Sequence, residues 1–242
     1  MQKNIAIIGT FFLLIGTMAA GRLISRLTPP ETPKDRVTLP EGWNVMEVNQ
    51  FLQAEGVLVG GELPLELEGY LFPDTYEFFL GSTVDVVRER FLDNLDTKLE
   101  TIGLSRESES LGEILTLASL IQEEIKDPHE MRIAAGILKK RLEAGIPLQI
   151  DATICYLKEI QGRECLPIIK ADKGIDSPYN TYLYQGLPPA PISNPGLDAI
   201  KAAINPANSP YLYYVSDPKT GRTIFGKTLD EHSLNVIKYL SE

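Results

Sequence analysis

Residues 111–125 read LGEILTLASLIQEEI, and this is the most informative helix in the chain. Ser110 and Glu113 stand at capping-box spacing, and Asp127-Pro128 closes the run because proline cannot continue a helix. With Leu111 at 0° and about 100° per residue, Leu111, Ile114, Leu115, Ala118, Ile121 and Ile125 gather on one core-facing stripe. Glu123 projects near ~120°, beside Thr116 and Ser119, on the side expected to be solvated. Glu124 projects near ~220°, between Leu117 and Leu120, at the edge of the apolar surface. A carboxyl held there loses water, and desolvation lifts its pKa toward the range of a general acid. Gln122 points into the stripe itself and needs a hydrogen-bond partner inside the protein. Of the two glutamates, Glu124 is the candidate acid.

Outward from this helix the periodicity continues. Residues 84–100 carry apolar Val84, Val87, Phe91, Leu95 and Leu99 at helical spacing, and residues 129–143 carry Ile133, Ile137, Leu138 and Leu142. Gly145 ends the second of these, and IPLQIDATICYL (146–157) reads as partly strand-like. On the amino-terminal side, RVTLP (36–40) looks like a strand. A helix with Val45, Val48 and Leu52 follows, Asn44 serving as N-cap and Gly56 closing it. The stretch EGYLFPDTYEFF (68–79) is densely aromatic, with carboxylates between the rings. Further on, residues 177–196, SPYNTYLYQGLPPAPISNPG, hold five prolines. A loop so long and so rich in polar aromatics is expected to bind something. Residues 197–204 form a short helix, 211–217 (YLYYVSD) an aromatic strand, and His232 lies on a last helix.

The termini and the composition narrow the class. From Asn4 to Gly21 no charge interrupts 18 residues, which span about 27 Å as a helix, close to a bilayer's hydrocarbon core. That segment is expected to insert in a membrane. Its length favours a retained anchor, although Met18-Ala19-Ala20-Gly21 offers small residues of the kind signal peptidases cut. LTPPETPKD (27–35) reads as a stiff linker. The net charge is −10, and no basic stripe of the kind that displaces counterions from nucleic acid is present. Cys155 and Cys165 close a small loop if the body is extracytoplasmic and stay as thiols if it is not; both remain open. Two histidines, His129 and His232, leave little room for a metal centre. No metal or other cofactor is expected.

Taken together, the segments resemble the MltG-type, YceG-like family of endolytic murein transglycosylases. The pieces fall in the family's order: VTLPEGWNVMEV (37–48), EGYLFPDTYEF (68–78), LTLASLIQEEI (115–125), GILKKRLEAGIPLQIDATICY (136–156), the 177–206 segment, YLYYV (211–215) and EHSLNV (231–236). The resemblance implies an α+β fold: a transmembrane anchor at 1–26, the linker at 27–35, a shortened LysM-like module at 36–66, and a catalytic domain at 67–242. It implies cleavage between N-acetylmuramic acid and N-acetylglucosamine in peptidoglycan strands, leaving a 1,6-anhydro end and terminating glycan elongation. The expected partners are the glycan strands, the membrane and proteins of wall synthesis, with the catalytic part outside the cytoplasm. The family's catalytic glutamate falls on Glu124. Gln149, Asp151, Tyr179, Asn180, Thr181, Tyr182 and His232 match motif positions and are expected to line the glycan groove. The pattern departs from the family at Gln122, Ile150, Ala152, Ala190 and Thr223.

The implied chemistry needs one carboxyl. Most glycosidases use two, the second to activate water or form a covalent intermediate. Here the sugar's own C6 hydroxyl is the nucleophile, and its tethering replaces the second group. Two other readings compete: a membrane-tethered binding or scaffold protein with weak or no turnover, and a pyridoxal-phosphate-dependent lyase, which would need a Schiff-base lysine and a phosphate cup.

Overall fold

The computed structural model describes residues 34–240; the apolar segment read as an anchor lies outside them. Among the described residues no helix is long and apolar enough to cross a membrane. Lys34 onward forms one compact unit.

Strand β1 (Lys34–Thr38) is followed by α1 (Val45–Ala54), a 3₁₀ turn at Leu65–Leu67, and β2 (Thr75–Phe79), which pairs antiparallel with β1, Val37 facing Tyr76. The boundary expected at residue 66 therefore does not coincide with a break, because the ladder closes nine residues or more beyond it. Helix α1 starts as its sequence dictates. The Asn44 side chain accepts from the Glu47 N–H at 3.0 Å, and the Glu47 carboxylate accepts from the Asn44 N–H at 2.9 Å; each satisfies one of the donors a helix start leaves orphaned. Helix α2 (Val84–Glu100) lays Val87 and Phe91 against this unit, which is filled by Val37, Val45, Val48, Leu52, Leu71, Tyr76 and Phe78.

The second core is built around α3 (Leu111–Glu124). Helices α4 (Pro128–Glu143), α5 (Asp151–Glu159) and α6 (Leu197–Ile204) pack on it, and strands β3 (Tyr213–Ser216) and β4 (Thr223–Gly226) form a hairpin covered by α7 (Leu229–Leu240). The helices separate from two short two-stranded sheets, so the fold is α+β.

Three local expectations are corrected. Ser110 occupies the N-cap of α3 but has helical backbone angles and makes no side-chain cap bond, so the capping box of the sequence is not formed. Thr116 and Ser119, placed on a solvated face by the wheel, are buried. The Ser119 hydroxyl donates to the Thr116 carbonyl at 2.8 Å and accepts from the Ile192 N–H at 3.1 Å, because the 177–196 loop covers the face that periodicity alone leaves open. Finally, 151–159 is a helix and not a strand; Pro147 and the turn at Gln149 break the chain just before it, and Ile150 is its extended N-cap.

Candidate active site

Glu124 is the last residue of α3, and Ile125 leaves the helix in an extended conformation. This position exposes the carboxyl to the negative end of the helix dipole, which disfavours a further negative charge. Next, Asp127 accepts from the His129 and Glu130 N–H groups and so starts α4 with Pro128 in its first turn. The tight α3–α4 connection fixes where the Glu124 side chain emerges. It is half-buried, and among the described residues its carboxyl accepts no hydrogen bond. Burial first, then the nearby charges of Asp151 and Glu123, push its pKa up to about 7. The residue is therefore about half protonated at neutral pH and its carboxyl is free to engage a visitor.

Two clefts meet at this side chain. One, of about 420 Å³, is lined by Glu124, Arg141, Gln149, Asp151, Tyr182, Tyr214 and His232. The other, of about 670 Å³, runs past Trp43, Glu47, Gln122, Glu123, Asp151 and Glu159. Glu124, Asp151 and Ser216 line both, so the acid stands where the two trenches join.

Asp151, in the first turn of α5, is not free. Its Oδ1 accepts from the Tyr182 hydroxyl at 2.5 Å and pairs with Lys173 Nζ at 2.9 Å. Gln149 has φ +57, a left-handed conformation that non-glycine residues rarely adopt. Its N–H donates to the Thr181 carbonyl at 3.0 Å, and its Oε1 accepts from Arg141 at 3.3 Å. Strain of this kind persists where surrounding structure over-determines it, commonly at functional sites. The His232 ring stacks on Tyr213 at 5.3 Å, with Nδ1 buried and unpartnered. Burial, then the Arg141 charge, lowers its pKa, which keeps the imidazole neutral.

The residues expected in the groove thus separate into two groups. Gln149, Asp151, Tyr182 and His232 share the smaller cleft with Glu124. Asn180 and Thr181 are buried and bond inward. Asn180 Nδ2 donates to the carbonyls of Lys173 and Ile175, and Thr181 Oγ1 accepts from the Ile150 N–H at 2.9 Å. They hold the loop that presents Tyr182. Tyr179 faces a different recess, of about 530 Å³, with Glu68, Tyr156 and Ala190. Of the departures from the family pattern, Ile150 and Ala152 reach the two clefts, whereas Thr223 lies on β4, where its N–H donates to Glu130 at 3.1 Å.

Gln122, predicted to need an internal partner, accepts from the Gly196 N–H at 3.0 Å. Glu123 is the more exposed of the two glutamates, yet its carboxyl lies in the larger trench and a Cβ on Gly42 would stand 3.0 Å from it. Partial burial, followed by the neighbouring charges of Glu47 and Glu159, raises its pKa to about 7 as well. Arg141, Tyr213, Tyr214 and Ser216 also line the smaller cleft, although the sequence marks them only as parts of a helix and an aromatic strand. Arg141 ends a basic run, KKR (139–141), that reads as a solvated helix terminus, and only the packed structure shows it turned inward.

The model of the YceG-like family matches residues 3–238. The chain belongs to the YceG-like family. Among its relatives, the endolytic murein transglycosylase of Bacillus subtilis strain 168 is 36% identical over 178 residues, covering 72% of this chain and 48% of that protein. The endolytic murein transglycosylase of Streptococcus pneumoniae strain D39 is 34% identical over 179 residues, covering 72% of this chain and 32% of its own. The chain thus spans about a third to a half of the length of the curated relatives it matches. A crystal structure of a YceG-like protein from Listeria monocytogenes superposes with a TM-score of 0.68 at 28% identity, covering 82% of this YceG-like chain and 75% of the other.

Proposed function

We propose that this YceG-like chain is a lytic transglycosylase of peptidoglycan, cutting between N-acetylmuramic acid and N-acetylglucosamine with Glu124 as its one catalytic residue. The observation that carries the reading is the position of Glu124: half-buried, unbonded at its carboxyl, titrating near neutrality, and set where two open clefts join. Protonated Glu124 donates to the glycosidic oxygen as the C1–O bond breaks and positive charge develops at C1. The carboxylate left behind takes the proton of the C6 hydroxyl, whose oxygen closes on C1 as the 1,6-anhydro ring. Asp151 is held through its Oδ1 by Tyr182 and Lys173, so the proton of the C6 hydroxyl is assigned to Glu124, the carboxyl left unbonded. A trench continuing on both sides of the acid suits an internal cut in a long strand.

Gln149, Asp151, Tyr182 and His232 bind the sugar on one side of the scissile bond; Asn180 and Thr181 serve by shaping the loop, and Tyr179 by lining the adjoining recess. The strand–helix–turn–strand unit at 34–79 supports a LysM-like role in holding glycan. The apolar residues 4–21 anchor the chain in the cytoplasmic membrane, so that it acts on nascent strands beside the proteins of wall synthesis and terminates their elongation.

Incubating the protein with glycan strands should release anhydro-ended fragments, resolved by mass spectrometry. Glu124→Gln should lose that release by at least about a thousandfold, as expected for removal of the acid and base together, while still binding strands. If the unaltered protein binds strands and releases nothing, it is a wall-binding scaffold and the enzymatic reading fails.

A further inference from the structure

Among the described residues, the buried cation of the smaller cleft has no counter-ion. Arg141 sits in the last turn of α4 with 9% of its surface exposed. One terminal nitrogen donates to the Pro147 carbonyl at 2.6 Å and to Gln149 Oε1 at 3.3 Å. Its Nε is buried and unpartnered. Among the described residues no carboxylate lies within ion-pair distance of it. The acids nearest in the cleft do not neutralise it: Asp151 belongs to Lys173, and Glu124 is half neutral at pH 7. The surrounding phenols are no substitute, since burial holds Tyr214 and Tyr182 in their neutral forms. The Tyr213 ring lies 5.6 Å from the guanidinium carbon and covers one of its sides. A guanidinium does not escape burial by losing its proton, and an unpaired buried charge costs several kcal/mol. The two bonds to Pro147 and Gln149 account for one nitrogen of the fork and leave the Nε edge unused.

We infer that Arg141 is a specificity-determining residue that receives a carboxylate carried by the lactyl arm of the muramoyl sugar bound next to Glu124. This rests on the proposed glycan-cleaving function. In a strand of alternating N-acetylglucosamine and N-acetylmuramic acid, the lactyl arm is the only place from which a sugar presents negative charge. The charge is either the free lactyl carboxylate or a carboxylate of a peptide attached through it. A planar fork matches such a group in two-pronged geometry. Gln149, held in its strained conformation and bonded to the same guanidinium, aims the fork into the cleft.

Binding is measured by calorimetric titration of the full chain, with no turnover needed. The probes are N-acetylmuramic acid, its methyl ester, N-acetylglucosamine and a muramoyl dipeptide. The acid should bind at least about tenfold more tightly than the ester, the scale of a charge-assisted hydrogen bond, and the preference should weaken with salt. Arg141→Met should abolish the acid-over-ester preference, and Arg141→Lys should restore part of it. Binding of the free acid but not the dipeptide assigns the lactyl carboxylate itself, and the reverse pattern assigns the peptide's. Equal affinity of the unaltered protein for acid and ester, with the muramoyl dipeptide bound no more tightly than either, overturns the inference, and that comparison needs no variant to fold. Acid preference in a protein that releases no anhydro fragments would leave the anion site standing while the transglycosylase reading falls.

Discussion

At the scale of single residues, the proposed chemistry depends on where Glu124 keeps its proton. Its pKa near 7 makes the donating form dominant below neutrality and scarce above it. The kcat/KM for glycan cleavage, which follows the ionisation of the free protein, should therefore fall about tenfold per pH unit once pH passes well above 7, read from initial rates at low glycan concentration between pH 6 and 9. A profile flat across that window would remove Glu124 from the acid role. Gln149 offers a second check. Its left-handed conformation costs about 1 kcal/mol, which glycine would not incur. Gln149→Gly relieves that strain but takes from the buried Arg141 one of its two acceptors. That loss of about 1–3 kcal/mol outweighs the relief, so the melting temperature should fall together with kcat/KM; a raised melting temperature would show that the strain dominates. Legibility in the sequence differed between neighbours. The half-buried placement of Glu124 is legible because one helix decides its direction. That of Arg141 is not, because its orientation is decided by the 146–149 turn and the β3 strand, which helical periodicity does not report.

At the scale of elements, periodicity locates the helices with one covered face and misassigns the faces of the helix covered on every side. Val84–Glu100 has a single apolar stripe, and its bounds are those the spacing predicts. Helix α3 is buried continuously from Leu115 to Ile121, so its polar residues bond within the core and mimic a solvated face to any pattern argument. Residues 146–157 misled for another reason: β-branched Ile150, Thr153 and Ile154 favour a strand locally, and packing against α3 overrides them. The contact between α4 and the 205–208 loop is tight enough to test. A Cβ at Gly136 would lie 2.1 Å from the Ala207 carbonyl oxygen, and the Ala207 N–H is bonded to the Arg132 carbonyl at 2.8 Å. Alanine normally strengthens a helix by up to about 1 kcal/mol over glycine, but here the overlap should dominate. Gly136→Ala should destabilise the protein by about 1–3 kcal/mol in urea unfolding; a stabilised variant would show that the loop yields freely.

At the scale of the whole described unit, two hydrophobic cores are held together by a small buried polar knot. Asn194 accepts from the Leu71 N–H at 2.9 Å and donates to the Trp43 carbonyl at 2.8 Å. The Glu68 carboxyl beside it accepts from the Val45 N–H at 3.2 Å, and burial pushes its pKa up to about 8. Its proton affinity is thus higher in the folded chain than the ordinary value of 4.5. Stability from this group is complete below about pH 4.5 and is lost as pH rises toward 8, by a few kcal/mol. Thermal unfolding should show stability declining across that interval, and Glu68→Gln should flatten part of the decline. A variant with the same slope as the unaltered protein would assign the effect to the groove carboxyls instead. None of this knot was legible beforehand, since its members are far apart in sequence and each reads as an ordinary loop or helix-start residue. The chain also carries a single tryptophan, and Trp43 stands on the wall of the larger trench with its edge toward Phe51, ring centres 5.2 Å apart. Indole emission therefore comes from one known spot on the trench that Glu124 also lines, so the proposed arrival of a sugar there should be recorded as a change in fluorescence with no dye attached.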